Sequence, residues 1–159
     1  MEQVLYRTAT ADDLDDILEI VRVAWPPGTP QLLEERHGII GDKPWLERQL
    51  APVRASVEAN LSATIIAEVD GRVAGWAVYT TDAETAIGTI AYNAVHPDFR
   101  GRGIGTEIVR KALDRLRETG MRIAIAGTGL SDEHAPARHV YEKVGFLPLR
   151  ESVQYSMEL

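Results

Sequence analysis

The stretch Val95-His96-Pro97-Asp98-Phe99-Arg100-Gly101-Arg102-Gly103-Ile104-Gly105-Thr106 constrains the fold of this chain more than any other. The apolar run from Ile87 to Val95 before it reads as a strand. After it, Ile104, Ile108, Val109, Ala112, Leu113 and Leu116 fall at the three-to-four spacing of an amphipathic helix. Strand, glycine-rich turn and helix in that order make a phosphate-binding geometry. The first helical turn, here Ile104, Gly105 and Thr106, has N–H groups without intrahelical partners, and the macrodipole adds positive charge there. Gly101, Gly103 and Gly105 carry no Cβ, so a phosphate can approach the backbone closely. Arg100 and Arg102 add fixed positive charge and donors that match phosphate oxygens. On these residues alone, a tight strand-to-helix turn with no ligand is the alternative. Two familiar phosphate loops are set aside: no Gly-Lys-Ser/Thr ending is present, and no βαβ unit with a spaced ribose-binding acid follows.

What remains, Arg100-x-x-Gly103-x-Gly105 after Val95-x-Pro97, resembles the Arg/Gln-x-x-Gly-x-Gly/Ala signature of the GNAT N-acetyltransferase superfamily, which binds the coenzyme A pyrophosphate. A second stretch, Ala137-Arg138-His139-Val140-Tyr141-Glu142-Lys143-Val144-Gly145-Phe146, is similar to that superfamily's fourth-helix motif. The resemblance covers most of the chain and is weakest between Pro26 and Asn60. It implies one domain over residues 1–159 with an α/β (α+β) fold. The implied sheet is mixed and mostly antiparallel, of about seven strands flanked by helices, and splayed between the fourth and fifth strands. The implied reaction moves an acetyl group from acetyl-coenzyme A to a primary amine by direct attack in a ternary complex. A small-molecule amine is favoured over a protein N-terminus or lysine, because the long insert after the first helix suggests a lid. A non-catalytic acyl-coenzyme A-binding or sensing module is the competing class. Relatives are often homodimers.

Composition narrows the alternatives. The absence of cysteine among 159 residues excludes disulfides, thiolate catalysis and cysteine-based zinc sites. His37, His96, His134 and His139 show no paired ligand spacing, so no metal is expected. A net charge of −7 argues against nucleic acid as the main partner, while Arg100, Arg102, Arg110 and Lys111 gather around the glycine turn as a local positive patch. The N-terminus lacks a basic region followed by an apolar one, and no apolar run approaches membrane-spanning length. No membrane partner is expected, and the expected location is the cytoplasm.

Along the chain, Val4 to Arg7 reads as a strand. Thr10 and Asp13 cap a first helix whose face is Leu14, Ile17, Leu18, Val21 and Trp25, stopped by Pro26-Pro27-Gly28. Gln31 to His37 and Trp45 to Asn60 suit two further helices, either covering the acceptor site or simply packing. Ser62 to Val69 and Val73 to Thr80 form a hairpin through Asp70-Gly71, the second strand buried on both faces. A helix to Gly120, a strand Ile123 to Ala126 and a helix from about His134 to Val144 follow. Phe146 to Pro148 and Val153 to Leu159 read as a last pair of strands.

The resemblance assigns roles at the site. The pantetheine arm is implied to lie between the strands ending near Val95 and Ala126, hydrogen-bonding like an added strand to the backbone near Ala94, Val95 and Pro97. A backbone N–H there suits the negative charge that grows on a thioester oxygen under amine attack. Tyr141 aligns with the tyrosine that protonates the departing thiolate; a phenol with a pKa of about 10 can serve as that acid. Tyr141 also shares a helical face with Ala137, Val140 and Val144, as a core aromatic would. Where many relatives carry an asparagine that contacts the cofactor, this chain has His134, which suits either a cofactor contact or a helix cap. Tyr92 and Asn93 project from opposite faces of the strand beside the cofactor, so only one of them can face the acceptor. Glu34, Glu35 and His37 are the candidate bases from the insert, and Arg138 and Glu142 a solvated ion pair.

Overall fold

The structure, a computed structural model, describes residues 3–159. Among these residues five strands form one sheet in the order β1-β2-β3-β4-β5. They are β1 (Val4–Thr8), β2 (Thr64–Val69), β3 (Arg72–Asp82), β4 (Ile87–Val95) and β5 (Ile123–Ala126). The first three pairings are antiparallel and β4–β5 is parallel. Asp70 and Gly71, at φ of 49° and 76°, make the tight turn between β2 and β3. β3 is buried continuously from Ala74 to Tyr79, as its unbroken apolar run requires of a strand covered on both faces.

Helices cover each face. From α1 (Leu14–Ala24) and α3 (Trp45–Ala59), residues Ile17, Leu18, Val21, Val53 and Val57 pack on Ile66, Trp76 and Val78 of the sheet. On the other face, α4 (Ile104–Glu118) buries Ile104, Ile108, Val109, Ala112 and Leu116, and α5 (Ala135–Val144) adds Tyr141. Fully burying one such aliphatic side chain contributes about 1.5–3 kcal/mol, so this double-sided core fixes where β4 ends. Arg7 joins β1 to the start of α1 and to β2, donating to both oxygens of Asp13 (2.6 and 2.8 Å) and to Glu68 (2.9 Å). That guanidinium, with the Thr10 N–H, holds the Asp13 carboxyl below its ordinary range.

The stretch between α1 and β2 is helical as its pattern predicts: α2 (Thr29–His37) precedes α3, which runs through Pro52. Glu34 of α2 accepts from the Trp45 N–H at 2.6 Å and from Arg48 at 3.3 Å, capping α3 and tying the two helices together.

The expectation of about seven strands is corrected to five. Residues 145–159 form no strand. Val153, Tyr155, Met157 and Leu159 alternate as a half-buried strand would, yet all four are exposed. Alternation makes a strand only where a neighbouring edge accepts its backbone, and Pro148 removes one donor at the point of re-entry. Side-chain bonds instead hold the segment to α2: Thr29 to Gln154 at 2.7 Å, and Arg36 and His37 to the Ser156 hydroxyl at 2.9 and 3.1 Å.

Candidate active site

Strand β4 is paired on both sides only as far as Ile90. Its ladder with β5 runs from Ile87↔Ile123 to Ile90↔Ala126 and stops, while pairing with β3 continues to Val95↔Gly75. The β3 register shifts between Val78 and Tyr79, which leaves Ala91 as an extra residue in β4. Such a bulge bends its strand and ends local pairing. Pairing with β5 therefore ends before Ala91, at the place of the expected splay, and residues 91–95 have one edge that no described strand covers.

Backbone groups alternate along an antiparallel ladder, which settles what that edge offers. The His96 N–H bonds to the Ala74 carbonyl at 2.9 Å, so Ala94 and Tyr92 face β3, and Asn93 and Val95 face the opening. The Trp25 indole N–H, which donates to the Asn93 carbonyl at 3.1 Å, agrees with this orientation. Of the backbone positions expected to meet an added strand, Val95 lies on the open edge. Ala94 gives its backbone to β3 and buries its side chain. Pro97 has no N–H, and its carbonyl accepts from Arg100 within the turn.

The glycine turn folds as its composition requires. Gly101 and Gly103 lie at φ of 77° and 79°, where a Cβ would meet no atom within 4 Å; backbone conformation, not space, demands glycine there. Gly105 is different. A Cβ on it would come 3.3 Å from Val95 Cγ2 and 3.7 Å from Val140 Cγ2, so its absence lets α4 sit close to the end of β4 and to α5. No side chain caps α4, and the first helical bond runs from the Glu107 N–H to the Gly103 carbonyl. The N–H groups of Ile104, Gly105 and Thr106 therefore have no acceptor within the helix.

Both turn arginines have anchoring roles. Arg100 donates to the Ala24 carbonyl at the end of α1 through one guanidinium nitrogen (2.9 Å). Arg102 donates to the Asp98 carbonyl (3.3 Å) and covers Phe99, 5.2 Å from the ring centroid. Arg72 lies 5.1 Å from the same ring, a cation beside the turn that no sequence motif singles out. His96 accepts from the Asp98 N–H through Nδ1, bracing the turn.

The second motif brings a phenol to the open edge. Gly145, at φ of 105°, ends α5, and the Phe146 N–H returns to the Tyr141 carbonyl at 3.0 Å. This sets the Phe146 ring edge-on to Tyr141, with centroids 5.5 Å apart. Tyr141 is only 9% exposed, and its hydroxyl oxygen accepts a 2.7 Å bond from the Asn93 side-chain nitrogen. Burial pushes the phenol above its ordinary pKa, and the Asn93 bond offsets part of that rise.

The strand-face alternation is resolved: Asn93 meets Tyr141, whereas Tyr92 stacks with Trp25 at 5.8 Å. Sequence reasoning places Trp25 only on the face of α1; the indole contact across to residue 93 has no local signal. His134 bonds Ser131 through Nδ1 at 2.8 Å and packs on Gly129, where a Cβ would come within 2.7 Å of the ring. The expected Arg138–Glu142 pair is replaced by bonds from Arg138 to the Gly129 and Ser131 carbonyls at 2.8 and 2.9 Å, which shape the loop leaving β5. Among the candidate bases, Glu34 is engaged by α3, Glu35 by Gln31 and His37 by Ser156.

Residues 91–95 thus present a strand edge bared at a bulge beside an uncapped helix start, an α/β arrangement whose free N–H groups suit an anionic group. Comparison with known proteins narrows the reading: the acetyltransferase (GNAT) family matches residues 14–146, and the chain belongs to that family. An uncharacterized N-acetyltransferase of Methanocaldococcus jannaschii is 27% identical over 145 residues, covering 88% of this chain and 59% of that protein. An amino-acid acetyltransferase of Aeromonas salmonicida is 27% identical over 143 residues, covering 90% of this chain and 27% of that protein. The chain thus spans under two-thirds of the length of either relative. In fold it is similar to an aminoglycoside N-acetyltransferase solved with coenzyme A, at a TM-score of 0.66 and 19% identity over all of this chain and 97% of that one. No described helix is long and apolar enough to cross a membrane.

Proposed function

We propose that this protein transfers an acetyl group from acetyl-coenzyme A to the primary amine of a small molecule within a ternary complex. The observation that carries the reading is the bared edge of Asn93 and Val95, with the Tyr141 hydroxyl beside it and the free N–H groups of α4 adjoining. The α4 N-terminus, with Arg100 and Arg102, suits the pyrophosphate. The open edge suits the two amides of the pantetheine arm, which pair as an added strand does. Acetyl-coenzyme A supplies the activated thioester. Transfer forms a C–N bond and breaks the C–S bond; the departing thiolate takes a proton from an acid of the protein, and the nitrogen gives up its own proton to solvent water, from which that acid is reprotonated.

Two groups of this chain answer those requirements. The Val95 N–H points into the gap, where it can donate to the thioester oxygen as negative charge grows there. The Tyr141 O–H is the proton donor for the sulfur, and burial above its ordinary pKa keeps it protonated through neutral and mildly alkaline pH. A small acceptor agrees with the amino-acid acceptor named for one relative.

The engagement of Glu34, Glu35 and His37 in structural bonds favours one second reading, an acyl-coenzyme A-binding module without turnover. A thiol-release assay separates the two, and the chain's lack of cysteine removes the protein's own background. Incubation with acetyl-coenzyme A and a panel of amino acids, polyamines and aminoglycosides should release thiol with at least one amine. Tight acetyl-coenzyme A binding with no release across the panel would leave the module.

A further inference from the structure

We propose that the Asn93 side-chain amide fixes the direction of the Tyr141 hydroxyl proton, making Asn93 a positioning residue for acetyl transfer. The inference rests on the reading of Tyr141 as the acid. A phenol oxygen carries one proton and two lone pairs, and conjugation holds its O–H bond near the ring plane. Two in-plane directions are therefore available. The Asn93 Nδ2–H donates to the oxygen at 2.7 Å, so the proton turns away from Asn93 and is left for a sulfur in the gap. A side chain at position 93 that only accepts would reverse this. It would take the Tyr141 proton into its own bond and withhold it from the thiolate. The amide also donates to the oxygen as it gains charge on giving up its proton, which opposes the desolvation of a buried phenolate.

Position 93 is itself held. Its carbonyl accepts from Trp25, its backbone follows the bulge at Ala91, and the neighbouring Tyr92 is stacked against Trp25 on the opposite face. Tyr141 is held as firmly, by the edge-on Phe146 and by the hydrogen bond from the Phe146 N–H to its carbonyl. The 2.7 Å contact is thus set by two braced residues on separate elements, one on β4 and one on α5.

The test compares Asn93→Asp, Asn93→Leu, Tyr141→Phe and the double variant Asn93→Asp/Tyr141→Phe, using the best amine from the panel. Asn93→Asp keeps the shape but only accepts, and it should lower kcat by about 100-fold. Asn93→Leu removes the bond without capturing the proton and should cost about tenfold. KM for acetyl-coenzyme A should stay within about twofold in both, because neither change touches the backbone edge or the α4 N-terminus. The double variant should match Tyr141→Phe alone, since Asn93 acts through the phenol. In the unliganded proteins, ultraviolet titration of the tyrosinate signal absent from Tyr141→Phe should give an ionisation order of wild type, then Leu, then Asp. That order stands whether or not a variant turns over. If Tyr141→Phe is impaired but Asn93→Asp retains wild-type kcat, or if Tyr141 ionises at the same pH in wild type and both Asn93 variants, the inference falls and the acid reading survives. Full activity in Tyr141→Phe overturns both.

Discussion

Residues Ile87–Ile90 and Ala91–Val95 belong to one strand, yet they meet different requirements. The first half is hydrogen-bonded on both sides and packed against α4, with Gly88 so close to Leu116 that a Cβ would come within 2.4 Å. The second half keeps β3 but has lost β5, and its free edge faces the phenol and the glycine turn. One inserted residue, Ala91, separates them. The difference teaches that a ladder that ends can bare a strand edge without an added loop; on the proposed function, the paired half carries stability and the bared half chemistry.

Changes that test this division are ordered by expected size. Gly103→Glu puts a side chain on a left-handed residue and a carboxylate at the α4 N-terminus; acetyl-coenzyme A affinity should fall by about 100-fold or more, read by calorimetry. The left-handed backbone at φ of 79° makes the added side chain cost about 1–2 kcal/mol, but a Cβ there meets no atom, so the variant should be destabilised yet folded by circular dichroism. Val95→Pro deletes the N–H aimed at the gap. A proline is tolerated where a strand's N–H faces away from its partner, so the protein should fold while turnover drops by about 100-fold.

The paired half should respond in the opposite way. Gly88→Ala forces the buried Leu116 to move and should cost about 1–3 kcal/mol of stability in urea unfolding, with kcat per folded molecule unchanged. The smallest effect is on the acid side, far from the site. Asp13 titrates below its unfolded value because Arg7 pairs with it, so its contribution is present above about pH 4 and is lost as pH falls through the lowered folded value. Asp13→Asn should flatten that part of the melting-temperature profile between pH 2 and 5 and leave kcat at neutral pH alone.

Much of this architecture is legible from local chemistry. The turn from Gly101 to Gly105 reads correctly because left-handed backbone and close approach both restrict the residue to glycine. β4 and β5 read correctly because apolar runs bounded by turns leave little choice. Tyr141 lies on the helix its motif predicts, where it meets Asn93. The rest depends on partners distant in sequence. Nothing near Asn93 announces a phenol on α5 or an indole at the end of α1, 48 and 68 residues away. Arg100 looks like a phosphate ligand in a glycine-rich turn, and only the fold reveals that it also holds the end of α1. The alternation from Val153 to Leu159 misleads for the same reason: a strand is a relation between two segments, and here side chains of α2 hold the segment instead.

The most direct measurement is a calorimetric titration with acetyl-coenzyme A, and in parallel with a nucleotide fragment that keeps the phosphates but lacks the pantetheine arm. Binding to the bared edge and the α4 N-terminus together predicts that acetyl-coenzyme A binds and that removing the arm weakens binding by tenfold or more, about 1.4 kcal/mol. Equal affinity for both ligands, or no binding by either, would contradict the assignment of the open β4 edge as the place where the thioester is held.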